Sequence, residues 1–247
     1  MIHDAKLFAD IICDYNEKET KSGIGTLGER CLHAIIKKYY ESDTSYHEIK
    51  VCGYVADICK DNSIIEIQTN NFSSLKRKLS KYLDEYKVKI VYPVSHVKNI
   101  IWIDPDTGET TNKRKSPKCG TGIELLYEAS RIREYIGHPG LSIDILLIDM
   151  DEYKLLNGWS CNKKRGSSRC DRKPIILYDV ITINSKHDYK KLIPAELFDI
   201  HFKYSDFQRA TKLKGRVGRY SFNILKEAEV IEQVGKKGNA FIYRVVK

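Results

Sequence analysis

The stretch Val51–Thr69, VCGYVADICKDNSIIEIQT, constrains this chain more than any other. It reads as two strands joined by a tight turn. Val51 to Cys59 carries Val, Tyr, Val and Ile, and Ser63 to Thr69 carries three isoleucines. Asp61-Asn62 between them tolerates positive φ, as a two-residue hairpin loop requires. Centring the turn there sets Lys60 against Ser63 and Asp57 against Glu66. Gln68, two residues beyond Glu66, projects from the same face, and Ile65 and Ile67 point the other way, toward a core.

Two carboxylates directly opposite each other, with Cβ atoms roughly 5 Å apart, destabilise a hairpin. A divalent cation would remove the repulsion, and oxygen ligands of this kind suit Mg²⁺. A solvated hairpin face with a slipped register is the other reading. Upstream, Gly28-Glu29 opens a helix to about Tyr40, with Leu32, Ile35, Ile36 and Tyr39 as its apolar stripe. Glu29 falls at the edge of that stripe and needs a partner. Arg30, Lys37, a neighbouring helix or the same metal would each serve.

A helix with Gly28-Glu29, a strand with Ala56-Asp57, then Glu66-Ile67-Gln68 and a following helix resembles the PD-(D/E)XK nuclease superfamily. The resemblance covers about residues 26–94 and implies an αβββαβ core of restriction-endonuclease type, a mixed sheet flanked by helices, in the α/β (α+β) class. It implies catalytic roles for Glu29, Asp57, Glu66 and Gln68. Asp57, Glu66 and the Ile67 backbone carbonyl would hold Mg²⁺, with Mn²⁺ as a substitute, and Glu29 would reach it directly or through water. Ala56 departs from the family's proline. Gln68 departs from its usual lysine, which leaves the role of that position open: an amide cannot be a general base, but it can orient water or contact phosphate.

The chain of 247 residues has a mean hydropathy of −0.43, ordinary for a soluble globular protein. The first fifteen residues lack signal-peptide character, and no apolar run approaches the roughly 18 residues of a membrane span, so a cytoplasmic protein is expected. Seven cysteines include no CxxC pair. Cys13, Cys31, Cys52 and Cys59 read as small core residues. Cys119, Cys161 and Cys170 lie in loops without zinc-ligand spacing, so reduced thiols are favoured over a zinc site.

Net charge is +9, unevenly spread. Lys203–Lys247 holds eleven basic against four acidic residues, and Ser160–Pro174 six against one. Such patches suit a polyanion. The second contains Lys163, Lys164, Arg165 and Arg169 around a Gly-Ser-Ser centre, a loop able to track a phosphate backbone. Lys76 and Lys78 crowd the start of an expected helix, Ser73 to Tyr86, with Ser73 or Ser74 as N-cap. The remaining pattern predicts a helix over 2–16, strands at 88–94, 98–108, 141–150 and 175–183, a short element at 153–159, and a helix over 122–135 with Glu128 and Arg131 paired.

From residue 193 the pattern becomes a short helix at Pro194–Phe198, a second capped by Ser205 with Gln208, and a third over Arg216–Ala228 with Val217, Tyr220, Ile224 and Leu225 inward. A hairpin around Lys236-Lys237-Gly238-Asn239 follows. This resembles a winged helix-turn-helix domain. The likeness implies that Arg216, Arg219 and Tyr220 lie in or beside a recognition helix and that Lys236 and Lys237 meet phosphate at the wing tip. The expected organisation is a nuclease-like domain over 1–192 and a DNA-binding domain over 193–247. The expected activity is Mg²⁺-dependent hydrolysis of phosphodiester bonds in double-stranded DNA, in restriction, defence or repair. The alternatives are a catalytically inactive DNA-binding regulator and an RNA nuclease. A staggered double-strand cut would call for a homodimer.

Overall fold

A computed structural model describes residues 4–22, 30–158 and 166–246. In chain order the elements are α1 (Ala5–Ser22), α2 (Arg30–Tyr40), β1 (His47–Val51), β2 (Tyr54–Lys60), β3 (Ser63–Ile67), α3 (Lys76–Tyr82), β4 (Lys87–Ile103), β5 (Arg114–Lys115), α4 (Leu125–Ala129), β6 (Leu141–Leu155), β7 (Ser168–Ile183), α5 (Tyr204–Thr211), α6 (Gly215–Glu227), β8 (Ile231–Lys237) and β9 (Ala240–Val245). The fold is mixed α/β. Seven strands form one sheet in the order β1-β2-β3-β4-β6-β7, with β5 on β4, and β8-β9 form a second. No helix among the described residues is long and apolar enough to cross a membrane.

Asp61 and Asn62 take φ values of 47° and 59°. These close the β2–β3 hairpin by the loop geometry whose twist matches its strands. Lys60 faces Ser63, Cys59 faces Ile64 and Ile58 faces Ile65, the register expected from the sequence. β3 then pairs in parallel with β4, from Ser63↔Lys87 to Ile67↔Val91. Parallel neighbours need a crossover, and α3 supplies it. The hydrogen bonds Val88 N–H to Gly140 O and Leu156 N–H to Ile103 O keep a nearly constant offset between β4 and β6, so that pair is parallel too.

Contacts divide the chain into two compact units. One comprises Met1–His47, Pro93–Gly120 and Leu146–Val180; the other comprises Glu48–Tyr92, Thr121–Ile145 and Ile181–Lys247. In the first, α1 packs on α2 through the edge-on rings of Phe8 and Tyr39, 5.2 Å apart. Its strands carry a dense charge network. Glu152, 2% exposed, meets Lys98 at 3.0 Å, Lys154 at 3.4 Å and Arg169 at 3.5 Å. Asp151 takes Lys113 at 2.6 Å and the Asn99 amide at 2.9 Å. Asp149 accepts from Val97 N–H and pairs with His96, whose ring stacks on Tyr178 at 3.8 Å.

In the second unit, Phe202, Tyr204, Phe207, Phe222 and Tyr243 form a chain of ring contacts that joins α5 and α6 to β9. Gly218 lets α6 lie close to α5 and to the loop between them, since a Cβ there would lie 2.9 Å from the Tyr204 hydroxyl and 2.7 Å from Leu213 O. Asp144, fully buried, is held by Lys89 at 2.7 Å and by the Thr182 hydroxyl at 2.8 Å.

Several boundaries differ from expectation. Val51–Cys59 is not one strand: Cys52 and Gly53, both at positive φ, turn the chain between β1 and β2. The strand expected at 88–94 and the one expected from 98 into a turn at 105–108 are one strand, β4, which ends at Ile103 before that turn, and the element at 153–159 is the end of β6. Much of the basic loop 162–173 belongs to β7, which begins at Ser168. The helix over 73–86 is a 3-10 turn, Phe72–Leu75, followed by α3, with no side-chain cap from Ser73 or Ser74. The helix over 122–135 is α4 followed by a 3-10 segment, Ser130–Tyr135, although Glu128 and Arg131 do pair, at 3.2 Å. The cap of α5 is not Ser205; the Asp206 carboxylate closes the turn by accepting from Lys203 N–H at 2.9 Å. Cys13 is exposed rather than in the core.

Burial pushes the Glu152 carboxyl up, but the charge and hydrogen bond of Lys98, with Arg169 and Lys154, outweigh it and hold the group below its ordinary value. A depressed acid stabilises the fold above its unfolded pKa and loses that contribution as pH falls through the folded one. Glu152→Gln should therefore cost about 1–3 kcal/mol at pH 7. The gap to the parent should stay constant down to about pH 5 and close below about pH 4.5, as urea denaturation at stepped pH would show.

Candidate functional site

The hairpin and α3 lie in one unit, and together they build the site. On the antiparallel ladder Asp57, Cys59, Ile64 and Glu66 share one face. The sequence pattern led us to expect Ile65 and Ile67 toward a core, with the acids on the other face. In the structure Ile67 is 5% exposed and Ala56 and Ile58 on the same side are buried, while Ile65 is half-buried. The acid face is covered as well: Ile64 is fully buried and Glu66 is 3% exposed, with Asp57 and Cys59 half-buried.

α3 provides the cover. Lys78 and Tyr82 are four residues apart and project from one side of it. The Lys78 ammonium lies 2.9 Å from both Glu66 oxygens and 2.7 Å from Val55 O. Tyr82 is fully buried, and its hydroxyl takes no hydrogen-bond partner among the described residues. Burial first, then the negative charges of Glu66 and Asp57 among others, push its phenol far above the ordinary value.

Asp57 resolves its own part of the repulsion differently. Two steps beyond Ile58↔Ile65 a regular ladder would set Ala56 against Ile67. Instead Ile67 N–H donates to Asp57 Oδ2 at 2.7 Å. A side chain thus takes the place of a strand acceptor at the point where the carboxylates meet. The paired register ends at Ile58↔Ile65, one step short of Asp57 and Glu66, and protein groups hold both acids: an amide for one, an ammonium for the other.

Gln68 continues past the end of β3. Its amide donates to Asn70 O and to the Ser74 hydroxyl at 3.2 Å, and its N–H donates to Val91 O at 2.9 Å. It clasps the chain leading into α3 and lies half-buried at the rim of the site. Glu29 lies outside the described residues, as do Lys163, Lys164 and Arg165. Among the described residues no group of three or more His, Cys, Asp or Glu side chains could hold a metal ion. Asp57 and Glu66 are oxygen donors of the kind Mg²⁺ takes, and each already has a protein partner in Ile67 N–H and Lys78. An ammonium seated on both Glu66 oxygens shows the face's electrostatic demand for a cation.

The other residues singled out for nucleic acid divide in two. Lys76 is bound to Glu134 at 2.7 Å, a contact that raises its pKa, and Arg169 lies against Glu152. Arg216, Arg219, Lys236 and Lys237 are exposed. Tyr220, expected inward, is 47% exposed and edges against Tyr127 with ring centroids 6.3 Å apart. Gly218, Ser221 and Phe222 take the inward positions instead.

Lys78→Met would leave the Glu66 carboxylate buried without its ammonium. Because Lys78 is one-quarter exposed, the loss should be about 2–3 kcal/mol, below the full cost of breaking a buried pair. Adding Glu66→Gln should recover most of it. A double-mutant cycle by chemical denaturation reads the coupling, and strictly additive losses would contradict it.

Comparison with other proteins adds a family. An uncharacterized protein of Treponema pallidum (strain Nichols) is 27% identical over 225 residues, covering 90% of this chain and 87% of its own. No solved structure matches. Residues 30–184, more than half the chain and inclusive of Asp57, Glu66, Gln68 and Lys78, match the model of the family described as a domain of unknown function, DUF8091, and the chain belongs to that family.

Proposed function

We propose that this protein is a cytoplasmic, Mg²⁺-dependent nuclease that hydrolyses phosphodiester bonds in double-stranded DNA and grips the duplex with residues 193–247. The observation that carries the reading is the acid face under α3. Asp57 accepts from Ile67 N–H and Glu66 takes Lys78 where β2 and β3 part, and the buried Tyr82 hydroxyl of α3 has no hydrogen-bond partner among the described residues. The succession α2-β1-β2-β3-α3-β4 supports it, being the αβββαβ order of the PD-(D/E)XK superfamily.

In this reading Asp57 and Glu66, with the Ile67 carbonyl, hold the ion, and Glu29 completes the set. When bound, the ion supplies Lewis-acid stabilisation of phosphate charge and lowers the pKa of a water. Lys78, on a flexible four-carbon stem, exchanges its contact with Glu66 for one with the scissile phosphate, and so provides from a helix the cation that Gln68 cannot provide from the strand. Gln68 fixes the approach to α3, and the Tyr82 hydroxyl orients a water. On α6 the exposed Arg216, Arg219 and Tyr220, with Lys236 and Lys237 on β8, face the duplex.

A second reading has its own observation. The Lys78–Glu66 pair already neutralises one acid without a metal, as suits an inactive nuclease-like regulator that binds DNA. Incubation with plasmid, single-stranded DNA and RNA, with and without Mg²⁺ or Mn²⁺, separates the two. Metal-dependent cleavage that Asp57→Ala and Glu66→Ala each abolish, with DNA binding retained, is the expected result. Binding without cleavage of any substrate favours the regulator. Arg216→Gln with Arg219→Gln should weaken duplex binding and lower the slope of log affinity against log salt by about two units.

A further inference from the structure

The second unit contains a cavity away from the residues discussed so far. It has a volume of about 370 Å³ and is lined by Lys190, Phe198, Asp199, Ile200, His201 and the end of β9, Arg244 to Val246. That volume is in the range of small-molecule sites. Its walls are fixed by backbone hydrogen bonds. Phe202 and Tyr243 exchange N–H···O contacts of 2.9 and 2.8 Å, and Val246 N–H donates to Val230 O at 2.9 Å. Asp199, at φ 57°, turns the chain between Phe198 and His201.

The lining chemistry is amphipathic. Phe198, Ile200, Val245 and Val246 give an apolar wall, and Ile200 is 46% exposed. Lys190, His201 and Arg244 bring basic groups to the same space. Lys89, Lys98 and Lys154 of the sheet are spent on acids, and neighbouring Lys191 is tied to Asp188 at 2.7 Å. The side chains of Lys190 and His201 take no protein partner among the described residues. Arg244 is held by Glu232 through Nε at 2.6 Å, which orients its guanidinium and leaves the terminal nitrogens as a planar fork suited to phosphate. Asp199 adds one acceptor for a ligand hydroxyl or amine.

We propose that this cavity binds a phosphate monoester with a planar or apolar body, a mononucleotide unit. Lys190, His201 and Arg244 take the phosphate, and Phe198 and Ile200 cover the base. The same chemistry is carried by a free nucleotide and by the phosphorylated end of a DNA strand.

The test is calorimetric titration of the full chain, without added metal, by adenosine 5′-monophosphate, adenosine and inorganic phosphate. The monophosphate should bind saturably, and adenosine and phosphate alone each at least about tenfold more weakly. Lys190→Glu and Arg244→Gln should each weaken the monophosphate about tenfold or more. Their melting curves should overlay the parent's, since the pocket side chains are not part of the core. A preference for a 5′-phosphorylated over a 5′-hydroxyl duplex, lost in Lys190→Glu, assigns the cavity to DNA ends. Binding of the monophosphate with no such preference assigns it to a free nucleotide. Absence of binding by any phosphate probe, or monophosphate binding unchanged in Lys190→Glu, overturns the proposal. Neither result bears on cleavage at Asp57 and Glu66.

Discussion

The contact between the Lys78 ammonium and the Glu66 carboxylate is the one on which the arrangement of the second unit's site depends. Two charges 4 Å apart attract by about 4 kcal/mol at an effective dielectric near 20. Taking each out of water costs several kcal/mol. The pair is therefore close to neutral for stability while being expensive to break on one side. Its effect is positional. It fixes which side of α3 turns toward β3, and Asp57 takes a donor of its own in Ile67 N–H. A face built this way holds its carboxylates in place without any bound ion.

The hairpin was legible in the sequence because its determinants are local. Asp61-Asn62 specifies a two-residue loop, and the loop fixes the register out to Asp57 and Glu66. Much of what failed has its cause far along the chain. Ser95 and His96 looked like a break between two strands, yet His96 has Asp149 as its partner, 53 residues away, and β4 runs through. The burial of Glu66 was invisible because its counter-charge comes from the following helix. On α6, Val217, Tyr220, Ile224 and Leu225 gave a helical stripe, but Gly218 and Ser221 are buried, and small residues carry no hydrophobic signal. The Cys52-Gly53 turn was missed because β-branched and aromatic neighbours on both sides read as a continuous strand; Gly53 was the available clue.

Charge counting had a similar limit. The net charge of +9 is a sum over groups with different fates. Lys76, Lys98, Lys113, Lys191 and Arg209 are committed to acids of the same chain. Arg216, Arg219 and Lys236 are exposed, and Lys190 lines a cavity. Only the latter kind can release counterions on meeting a polyanion. Sequence gives the total, and the fold alone sorts it.

The Asp61-Asn62 turn also sets an order of events during folding. A hairpin with a two-residue loop closes in roughly 1–10 μs, whereas parallel pairing across a helical crossover is a slower, non-local step. β2 and β3 can therefore meet, and bring Asp57 to Glu66, before α3 has docked with its lysine. The nascent chain encounters its least favourable electrostatic contact early and resolves it late.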